Sequence, residues 1–243
     1  MACLNAWPSP RQLVLDGWLL RASGGAVRRA NSVNPLPGCR GDLRAMLPLA
    51  EAVYGALGQT PLVRLPSLID GADALLEATG YTAEGRTLTL FADLQGPARA
   101  TGSSAVLTAN PNTDWLAARA RLSAVAVEEQ AIFRTMLDHL LLPRAFAAVR
   151  DEGQVAAIAY AVLCDGLAVV EAVVTDPAQR RRGLGRQVVG GLLDWAAEAG
   201  AEGACLQVVA DNVPALALYR SLGFTRELSR YHYRRKAQAA PAS

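Results

Sequence analysis

The sequence of 243 residues predicts an α/β fold in which strands and helices alternate. One observation is the apolar segment Leu167–Thr175 (LAVVEAVVT), which is typical of a strand covered on both faces. Another is the helical spacing of apolar residues that follows, from Val188 to Ala196. The third is the order of elements over residues 102–236, which runs strand, two helices, three strands, helix, strand, helix and strands.

The elements of this second part follow from apolar periodicity and turn residues. Gly153 and Gly166 mark turns between strands, Gly200 and Gly223 end helices, and Pro214 suits a first helical position. In chain order we predict strand Ala105–Thr108, helices Asp114–Leu122 and Glu128–Leu142, strands Ala145–Arg150, Gln154–Cys164 and Leu167–Thr175, a helix over 186–199, strand Ala204–Val209, a helix over 214–222, and a strand or hairpin Phe224–Arg235.

The first hundred residues contain a weaker copy of the same pattern. The segment DGADALLEATGY precedes a strand just as PALALYRSLGF does near the end of the chain. In chain order we predict strands Val14–Arg21 and Ala30–Leu36, helix Arg44–Leu57, strand Leu62–Leu65, helix Asp70–Thr79 and strand Thr87–Asp93. The Gly/Ser/Pro-rich segment Gly96–Ser104 is the expected boundary. We therefore predict units over 1–100 and 101–236 and a flexible tail over 237–243.

The composition is that of a folded protein without a membrane anchor. Apolar residues make up 51% and charged residues 19%, which excludes extensive disorder. The longest apolar run, Val155–Cys164, is shorter than the ~20 residues of a membrane-spanning helix, and Met1–Pro10 lacks the features of a secretory signal. Four separated cysteines (Cys3, Cys39, Cys164, Cys205) form no CxxC pair. We expect reduced thiols, no bound metal and a cytoplasmic location.

The net charge of +2 produces no strong field for nucleic acid. All but one of the 24 basic residues are arginine, the exception being Lys236. Codon bias explains most of this excess, while clustered arginines indicate phosphate recognition, because a guanidinium binds phosphate in a bidentate fork. An arginine-rich nucleic-acid binder is disfavoured by the near-neutral charge.

The segment Thr175–Arg186 (TDPAQRRRGLGR) joins the buried strand to the next helix. Gly183 and Gly185 allow a ligand to approach the backbone closely, and free amides at the helix start attract an anion. A dinucleotide fingerprint would need a third glycine and a Walker loop would need GK[ST], so neither family fits. The alternative is a glycine-rich turn beside solvated arginines.

Two blocks in this part resemble the GNAT superfamily of N-acetyltransferases. The first is the order VVTDPxxRxxGxG, with Arg180, Gly183 and Gly185 at the defining positions, and the second is ADNVPALALYRSLGF over Ala210–Phe224. The segment Asp16–Pro37 resembles bacterial members with an extra amino-terminal half. This resemblance implies a mixed central sheet flanked by helices, in tandem with a degenerate GNAT-like half. The first half has no RxxGxG, so one CoA site is expected.

The resemblance also implies roles in binding acetyl-CoA. Backbone groups of Val173–Thr175 would pair with the pantetheine arm, and amides over 181–186 would hold the pyrophosphate. One of three consecutive arginines would meet the 3′-phosphate, with the choice left open. Asn212 would hydrogen-bond the pantetheine, a role compatible with capping the next helix. The implied binding residues are Val173, Val174, Thr175, Arg180, Arg181, Arg182, Gly183, Leu184, Gly185, Arg186 and Asn212.

Two residues are the catalytic candidates. Tyr219 matches the acid that the family uses to protonate the leaving thiolate, with a core tyrosine as the alternative. Gln207 stands where some members carry a glutamate base and cannot titrate. Glu171 is the only charge in its apolar strand, and burial would raise its pKa toward a useful range. The alternatives are an ion pair with an arginine for Glu171, and a water chain or an amino-terminal residue as the base.

The remaining polar candidates are assigned lesser roles. His139 and His232 are expected to be structural, and Arg28, Arg29 and Asn31 line an acceptor pocket if the two halves face each other, a solvated hairpin being the default. The resulting hypothesis is an acetyl-CoA-dependent N-acetyltransferase that moves an acetyl group to a primary amine of a small molecule or amino-acid-like acceptor by direct attack on the thioester. The alternative is a CoA-binding regulatory or sensor module without turnover.

Overall fold

The computed structural model describes residues 1–67, 69, 71–96 and 102–237. The strands within them are β1 (Arg11–Leu15), β2 (Trp18–Ala22), β3 (Val33–Pro35), β4 (Leu62–Pro66), β5 (Tyr81–Asp93), β6 (Val106–Thr108), β7 (Arg144–Asp151), β8 (Gln154–Cys164), β9 (Leu167–Thr175), β10 (Gly203–Val209) and β11 (Arg226–Lys236). The helices are α1 (Ala2–Asn5), α2 (Leu43–Ala56), α3 (Ala72–Ala78), α4 (Thr113–Ser123), α5 (Val127–Asp138), α6 (Leu184–Glu198) and α7 (Val213–Ser221), with single 3₁₀ turns at Arg28–Ala30 and Pro177–Gln179.

The described strands form one mixed sheet in the order β1-β2-β3-β4-β11-β5-β10-β9-β8-β7-β6. Its pairing is symmetric about the central antiparallel pair of β5 and β11. On each side the next pair is antiparallel, then comes one parallel pair, β3 with β4 on one side and β9 with β10 on the other, and antiparallel hairpins follow. The α/β fold with a mixed sheet is therefore as predicted.

The two faces of the sheet are covered differently. Helices α6 and α7 pack on one face of β7–β10 through an apolar core that includes Val188, Leu192 and Leu206. On the opposite face of those strands, α4 and α5 pack with Trp7 around Tyr160 and Val169. Helices α2 and α3 form a third core with Val63 and Leu65 of β4. Side chains alternate between the two faces of a strand. Arg64 of β4 therefore projects away from the core under α2, and Gln207 of β10 projects away from the core under α6.

Four predicted elements differ from the structure. The expected strand Ala30–Leu36 is shortened to β3 (Val33–Pro35), because Ala30 ends the 3₁₀ turn Arg28–Ala30. The expected strand Val14–Arg21 is the hairpin of β1 and β2, because Asp16 and Gly17 both adopt positive φ (46° and 80°), the geometry of a tight hairpin turn. The expected helix Glu128–Leu142 ends with α5 at Asp138, where the cap amide of His139 bonds back to Met136 and the chain turns toward β7. The sequence offers no glycine or proline to mark that end before Pro143.

The strand predicted over Thr87–Asp93 begins six residues earlier, at Tyr81. The first part of β5 pairs with Arg234–Lys236 of β11. Pairing with a strand that is distant in the sequence therefore extends β5 beyond its own apolar pattern. The short helix α1 was not predicted. Asp70, part of the boundary Gly96–Ser104 and the tail beyond Ala237 lie outside the described residues. No helix in the described part of the chain combines the length and apolar character needed to cross a membrane.

Candidate active site

Strands β9 and β10 separate near the middle of the sheet. They pair in parallel only from Leu167 to Val170. Ala172 then adopts φ 51°, and two residues of β9 face one residue of β8, which is a β-bulge. Beyond the bulge, Val174 and Thr175 remain paired with β8 alone. Their other backbone edge therefore borders an open cleft and can accept a strand-like ligand.

A cavity of about 700 Å³ lies in this cleft, bounded by the edge of β9, the start of α6 and one side of α7. Helix α6 begins after Gly183, which has φ 81° and supplies no capping side chain. A β-carbon at Gly185 would lie 3.1 Å from Leu218 and 3.3 Å from the Thr175 hydroxyl. The uncapped first turn and the closely packed glycine leave backbone amides facing the cavity, which suits an anionic group.

The four arginines predicted around this helix start differ in position. Arg180, Arg181 and Arg186 line the cavity. Arg186 also donates hydrogen bonds to Ser221, at 3.2 Å to its carbonyl and 3.0 Å to its hydroxyl. Arg182 lies outside the lining and holds Asp151, the last residue of β7, through two bonds of 2.6 and 3.2 Å. A phosphate contact of Arg182 remains a prediction that would compete with this ion pair.

Asn212 caps helix α7, where its side-chain oxygen accepts the amide of Ala215 at 3.2 Å. The side chain also borders the cleft cavity and the cavity next to it. Capping uses the amide oxygen, so the Nδ2 group can donate to a ligand. The two roles predicted for Asn212 are therefore compatible in the structure.

A second cavity of about 380 Å³ adjoins the cleft. The two cavities share Val173, Asn212, Ala215 and Tyr219 as walls. We call the second one the acceptor cavity, and its lining comprises Trp7, Ala26, Val27, Arg28, Arg29, Thr87, Val170, Glu171, Ala172, Val173, Leu206, Gln207, Val208, Val209, Asn212, Ala215, Tyr219, Tyr231 and Tyr233. It is built from residues of both parts of the chain, and Arg28 and Arg29 line it instead of forming the solvated hairpin expected by default.

Tyr219 stands at the junction of the two cavities. Its side chain is 8% exposed and packs edge-on against Phe224, with ring centroids 6.1 Å apart. Burial, together with the nearby charge of Glu171, raises the pKa of Tyr219 to about 12. The phenol is thus protonated at neutral pH and can donate its proton to a stronger base.

Glu171 is 2% exposed and forms an ion pair with Arg29, so the predicted alternative of an arginine partner is observed. Burial raises the pKa of Glu171, whereas the Arg29 charge and the Trp7 indole act in the opposite direction. Gln207 lines the same cavity. Glu171 is therefore the titratable carboxylate of this lining, and its pairing with Arg29 does not remove it from the cavity wall.

The segment that carries the two arginines is held in place by neighbouring polar groups. Asn31 accepts the amides of Ser23 and Gly24, at 2.8 and 3.0 Å, and donates to the carbonyls of Gly25 and Val27. Glu129 of α5 accepts the Ala26 amide at 2.9 Å. Asn31 does not line the acceptor cavity, unlike Arg28 and Arg29, because its amide group is occupied inside this loop.

The histidines lie away from both cavities. His139 contacts the Thr135 carbonyl at 2.7 Å, and His232 contacts Asp73 at 2.7 Å. Sequence reasoning missed Trp7, Tyr231 and Tyr233 as site residues. The alternation in YHY could have placed the two tyrosines on one face, whereas no local signal marks Trp7. Within the described residues, no cluster of three or more His, Cys, Asp or Glu side chains could hold a metal ion.

Comparison with known proteins identifies relatives along nearly the whole chain. A family model described as the C-terminal part of the probable histone acetyltransferase Rv0428c matches residues 1–235. The N-acetyltransferase YobR of Bacillus subtilis, itself uncharacterised, is 27% identical over 239 residues, covering 95% of this chain and 94% of YobR. A mycothiol acetyltransferase of Clavibacter sepedonicus is 34% identical over 219 residues, covering 84% and 71%.

Solved structures agree on the fold. A GCN5-related N-acetyltransferase from Kribbella flavida superposes with a TM-score of 0.65 at 21% identity, covering 95% of this chain and 91% of that one. A tandem GNAT protein from the clavulanic acid biosynthesis pathway gives 0.65 at 18% identity, covering 87% and 76%. The relatives named as acetyltransferases support an enzyme over the alternative of a CoA-binding module without turnover. The chain is an N-acetyltransferase of the GNAT superfamily and belongs to the family described by the C-terminal part of the probable histone acetyltransferase Rv0428c.

Proposed function

We propose that this N-acetyltransferase moves the acetyl group of acetyl-CoA to a primary amine of a small molecule or amino-acid-like acceptor. GNAT enzymes in general use acetyl-CoA as cosubstrate. The observation that carries the proposal is the shared wall of the two cavities, with Tyr219 and Asn212 facing both. A thioester at this junction would have its CoA portion in the cleft and its acetyl carbon open to an amine in the acceptor cavity.

Binding of acetyl-CoA would use backbone groups more than side chains. The free edge of Val173–Thr175 would pair with the pantetheine arm, and the Asn212 amide group would donate to it. Amides at the start of α6, including those of Leu184 and Gly185, would hold the pyrophosphate. Arg180 and Arg181 border the same cavity and suit the 3′-phosphate.

The reaction would proceed by direct attack of the amine on the thioester. A bond forms between the nitrogen and the carbonyl carbon, and the amide of Val174 would stabilise the oxyanion. The carbon–sulfur bond then breaks, and the leaving thiolate takes the proton of Tyr219. Glu171 would accept the extra proton of the attacking nitrogen, directly or through water. Solvent restores the protonation states of both side chains.

The acceptor cavity favours a small acceptor over a folded protein. Its volume of about 380 Å³ lies within the range of small-molecule sites, and buried residues such as Tyr233 and Val208 form its walls. Relatives are named for different acceptors, including mycothiol and the alanine of a ribosomal protein. Because the named acceptors differ among relatives, we infer the acceptor of this chain from the size and lining of its own cavity.

We further propose that residues 1–100 are a degenerate GNAT-like half and 101–236 the catalytic unit. The symmetric strand order supports this, because β1–β5 repeat the sequence of pairings of β7–β11. The two units share one continuous sheet, with β11 paired between β4 and β5. A cytoplasmic location remains part of the proposal, with four unpaired cysteines as its support.

Release of the CoA thiol in the presence of an amine panel tests the proposed function. We expect turnover with at least one primary amine, and Tyr219→Phe should lower kcat about 100-fold or more while CoA still binds, because general acid catalysis supplies about that factor. Tyr81→Phe is the matched control, since Tyr81 bonds to Glu51 outside both cavities. An unchanged kcat in Tyr219→Phe would refute the acid role, and the absence of thiol release with every amine would refute the function.

A further inference from the structure

We infer that the acceptor carries a carboxylate several bonds away from its primary amine, and that Arg28 binds this carboxylate. The inference rests on the proposed function and specifies its substrate class. It is carried by an arginine in the acceptor cavity whose charge is incompletely neutralised, and by its distance across the sheet from Glu171.

The charges that line the acceptor cavity do not balance. Its ionisable residues that are charged at neutral pH are Arg28, Arg29 and Glu171. Arg29 is paired with Glu171, which leaves the charge of Arg28. A simple amine arrives as an ammonium ion and adds a second positive charge to this lining. An amine that carries a carboxylate is neutral overall and supplies the missing anion.

Arg28 has a neighbouring carboxylate, but that carboxylate is already occupied. Glu84 accepts two hydrogen bonds from Arg235, at 2.9 and 2.8 Å, in a fork-like arrangement. Arg28 reaches the same carboxylate through a single contact of 3.4 Å. The pKa of Glu84 is lowered chiefly by Arg235, with Arg28 a smaller cause. Two guanidinium groups thus share one carboxylate, and Arg28 is the more weakly held.

The position of Arg28 is built into the fold. Its guanidinium lies 5.2 Å from the centroid of the Tyr233 ring and rests against Gly85, where a β-carbon would overlap it. Gly85 has φ 62°, a conformation that glycine adopts readily. The side chain is 35% exposed, so its remaining donors are accessible to a ligand. The Asn31 hydrogen bonds described above hold the backbone of its loop.

The separation between the two charged groups sets the length of the acceptor. Arg28 packs on Tyr233 of β11, whereas Glu171 belongs to β9, and β5 and β10 lie between these strands. Three strand spacings amount to roughly 14 Å between the axes of β11 and β9, so the two charged groups lie over different parts of the cavity. Thr87 and Gln207 border the cavity between the two ends. A carboxylate adjacent to the amine, as in an α-amino acid, would be too close to reach both Arg28 and the thioester side of the cavity.

A series of ω-amino carboxylates with one to six methylene groups, compared with the matching ω-amino amides, tests both parts of this inference. CoA-thiol release should give a kcat/KM at least tenfold higher for the carboxylate than for the amide at the longer lengths, but not for glycine and glycinamide. Arg28→Met should abolish this preference mainly through KM, with kcat changed less than threefold. Arg28→Lys should restore part of it, which separates lost charge from misfolding.

Two further variants test in which direction the carboxylate preference changes and whether loss of an arginine elsewhere affects it. Glu84→Gln releases Arg28 from its shared carboxylate and should widen the preference for the carboxylate. Arg230→Met removes an exposed arginine of β11, paired with Glu227 and outside the lining of the acceptor cavity, and should change nothing. Equal use of carboxylates and amides at every length, or a preference that survives Arg28→Met, would overturn the inference while the proposed function stands. Failure of all amines, charged or neutral, would count against the proposed function itself.

Discussion

Two strand–helix junctions, β9–α6 and β3–α2, hold equivalent places in the symmetric sheet but differ in what they offer a ligand. Helix α6 starts after Gly183 with no capping side chain. Helix α2 starts after Asp42, whose carboxylate accepts the Arg44 amide at 2.8 Å. The same backbone element therefore attracts an anion at one junction and carries a negative charge at the other. Equivalent topology does not bring equivalent ligand binding, because the carboxylate of one capping residue, Asp42, reverses the electrostatic preference of the helix start.

The helices α7 and α3 differ in a similar way. Each is followed by a glycine with positive φ, Gly223 at 96° and Gly80 at 84°. Counting back from these glycines aligns Tyr219 with Leu76, which is fully buried. The first-half helix thus contributes an apolar side chain where the second-half helix contributes the proposed proton donor. The proposed active site lies at one junction only, while the other half supplies Arg28 and Arg29 to the wall of the adjoining cavity.

The largest effect is expected when an acidic residue is placed at the start of α6, as Asp42 is at the start of α2. Gly183→Asp places a carboxylate where the pyrophosphate would bind and forces an L residue into the left-handed region, so kcat/KM for acetyl-CoA should fall about 100-fold or more. Calorimetric titration with CoA measures the same loss without turnover. The counterpart Asp42→Ala should leave CoA affinity unchanged and lower the free energy of unfolding by about 1 kcal/mol. Wild-type CoA affinity in Gly183→Asp would contradict the contrast between the junctions.

An intermediate effect is expected at the contact between the halves. Arg29 opposes the burial that raises the pKa of Glu171, so Arg29→Met should raise that pKa further. A base must lose its proton to act, so the acidic limb of the profile of kcat/KM against pH should move to higher pH, with about a tenfold loss near neutrality. Arg121→Met, which removes an exposed pair with Asp176, is the control. An acidic limb that stays in place in Arg29→Met would exclude Glu171 as the base.

The smallest effect concerns an ion pair that joins α3 to β11. Hydrogen bonds from Arg234, and secondarily from His232, lower the pKa of Asp73 to about 2. Because the pKa of Asp73 is lower in the folded chain than in the unfolded chain, its carboxylate stabilises the fold at pH values above the unfolded-state pKa near 4. This stabilisation disappears as the pH falls from about 4 to about 2. Because the carboxylate is 52% exposed, Asp73→Asn should cost less than about 1 kcal/mol at pH 7.

Chemical unfolding at pH 7 and near pH 2 measures this difference. Glu77→Gln removes a more exposed partner of Arg234 and should have a smaller effect than Asp73→Asn. If Asp73→Asn destabilised the protein equally at both pH values, the ion pair would not be the cause.

Local patterns predicted most elements of the second half, because continuous apolar segments and helix ends are written in neighbouring residues. Strands β8 and β9 coincide with Gln154–Cys164 and Leu167–Thr175. The errors arose where contacts with residues distant in the sequence decide the bounds of an element. Strand β5 is extended by its pairing with β11, and α5 ends at Asp138 without a glycine or proline nearby. The hairpin at Asp16-Gly17 was missed although its turn residues are typical.

Local sequence already indicates three features of the site: the glycine-rich start of α6, the charged residue Glu171 inside an apolar strand, and Tyr219 four residues before Gly223. These features depend on residue type and short spacing, which a sequence states directly. Folding alone brings Arg29 to Glu171, makes Arg28 share Glu84 with Arg235, and places Trp7 and Tyr233 at the same cavity. Long-range strand pairing, here the insertion of β11 between β4 and β5, brings together residues that no local periodicity connects.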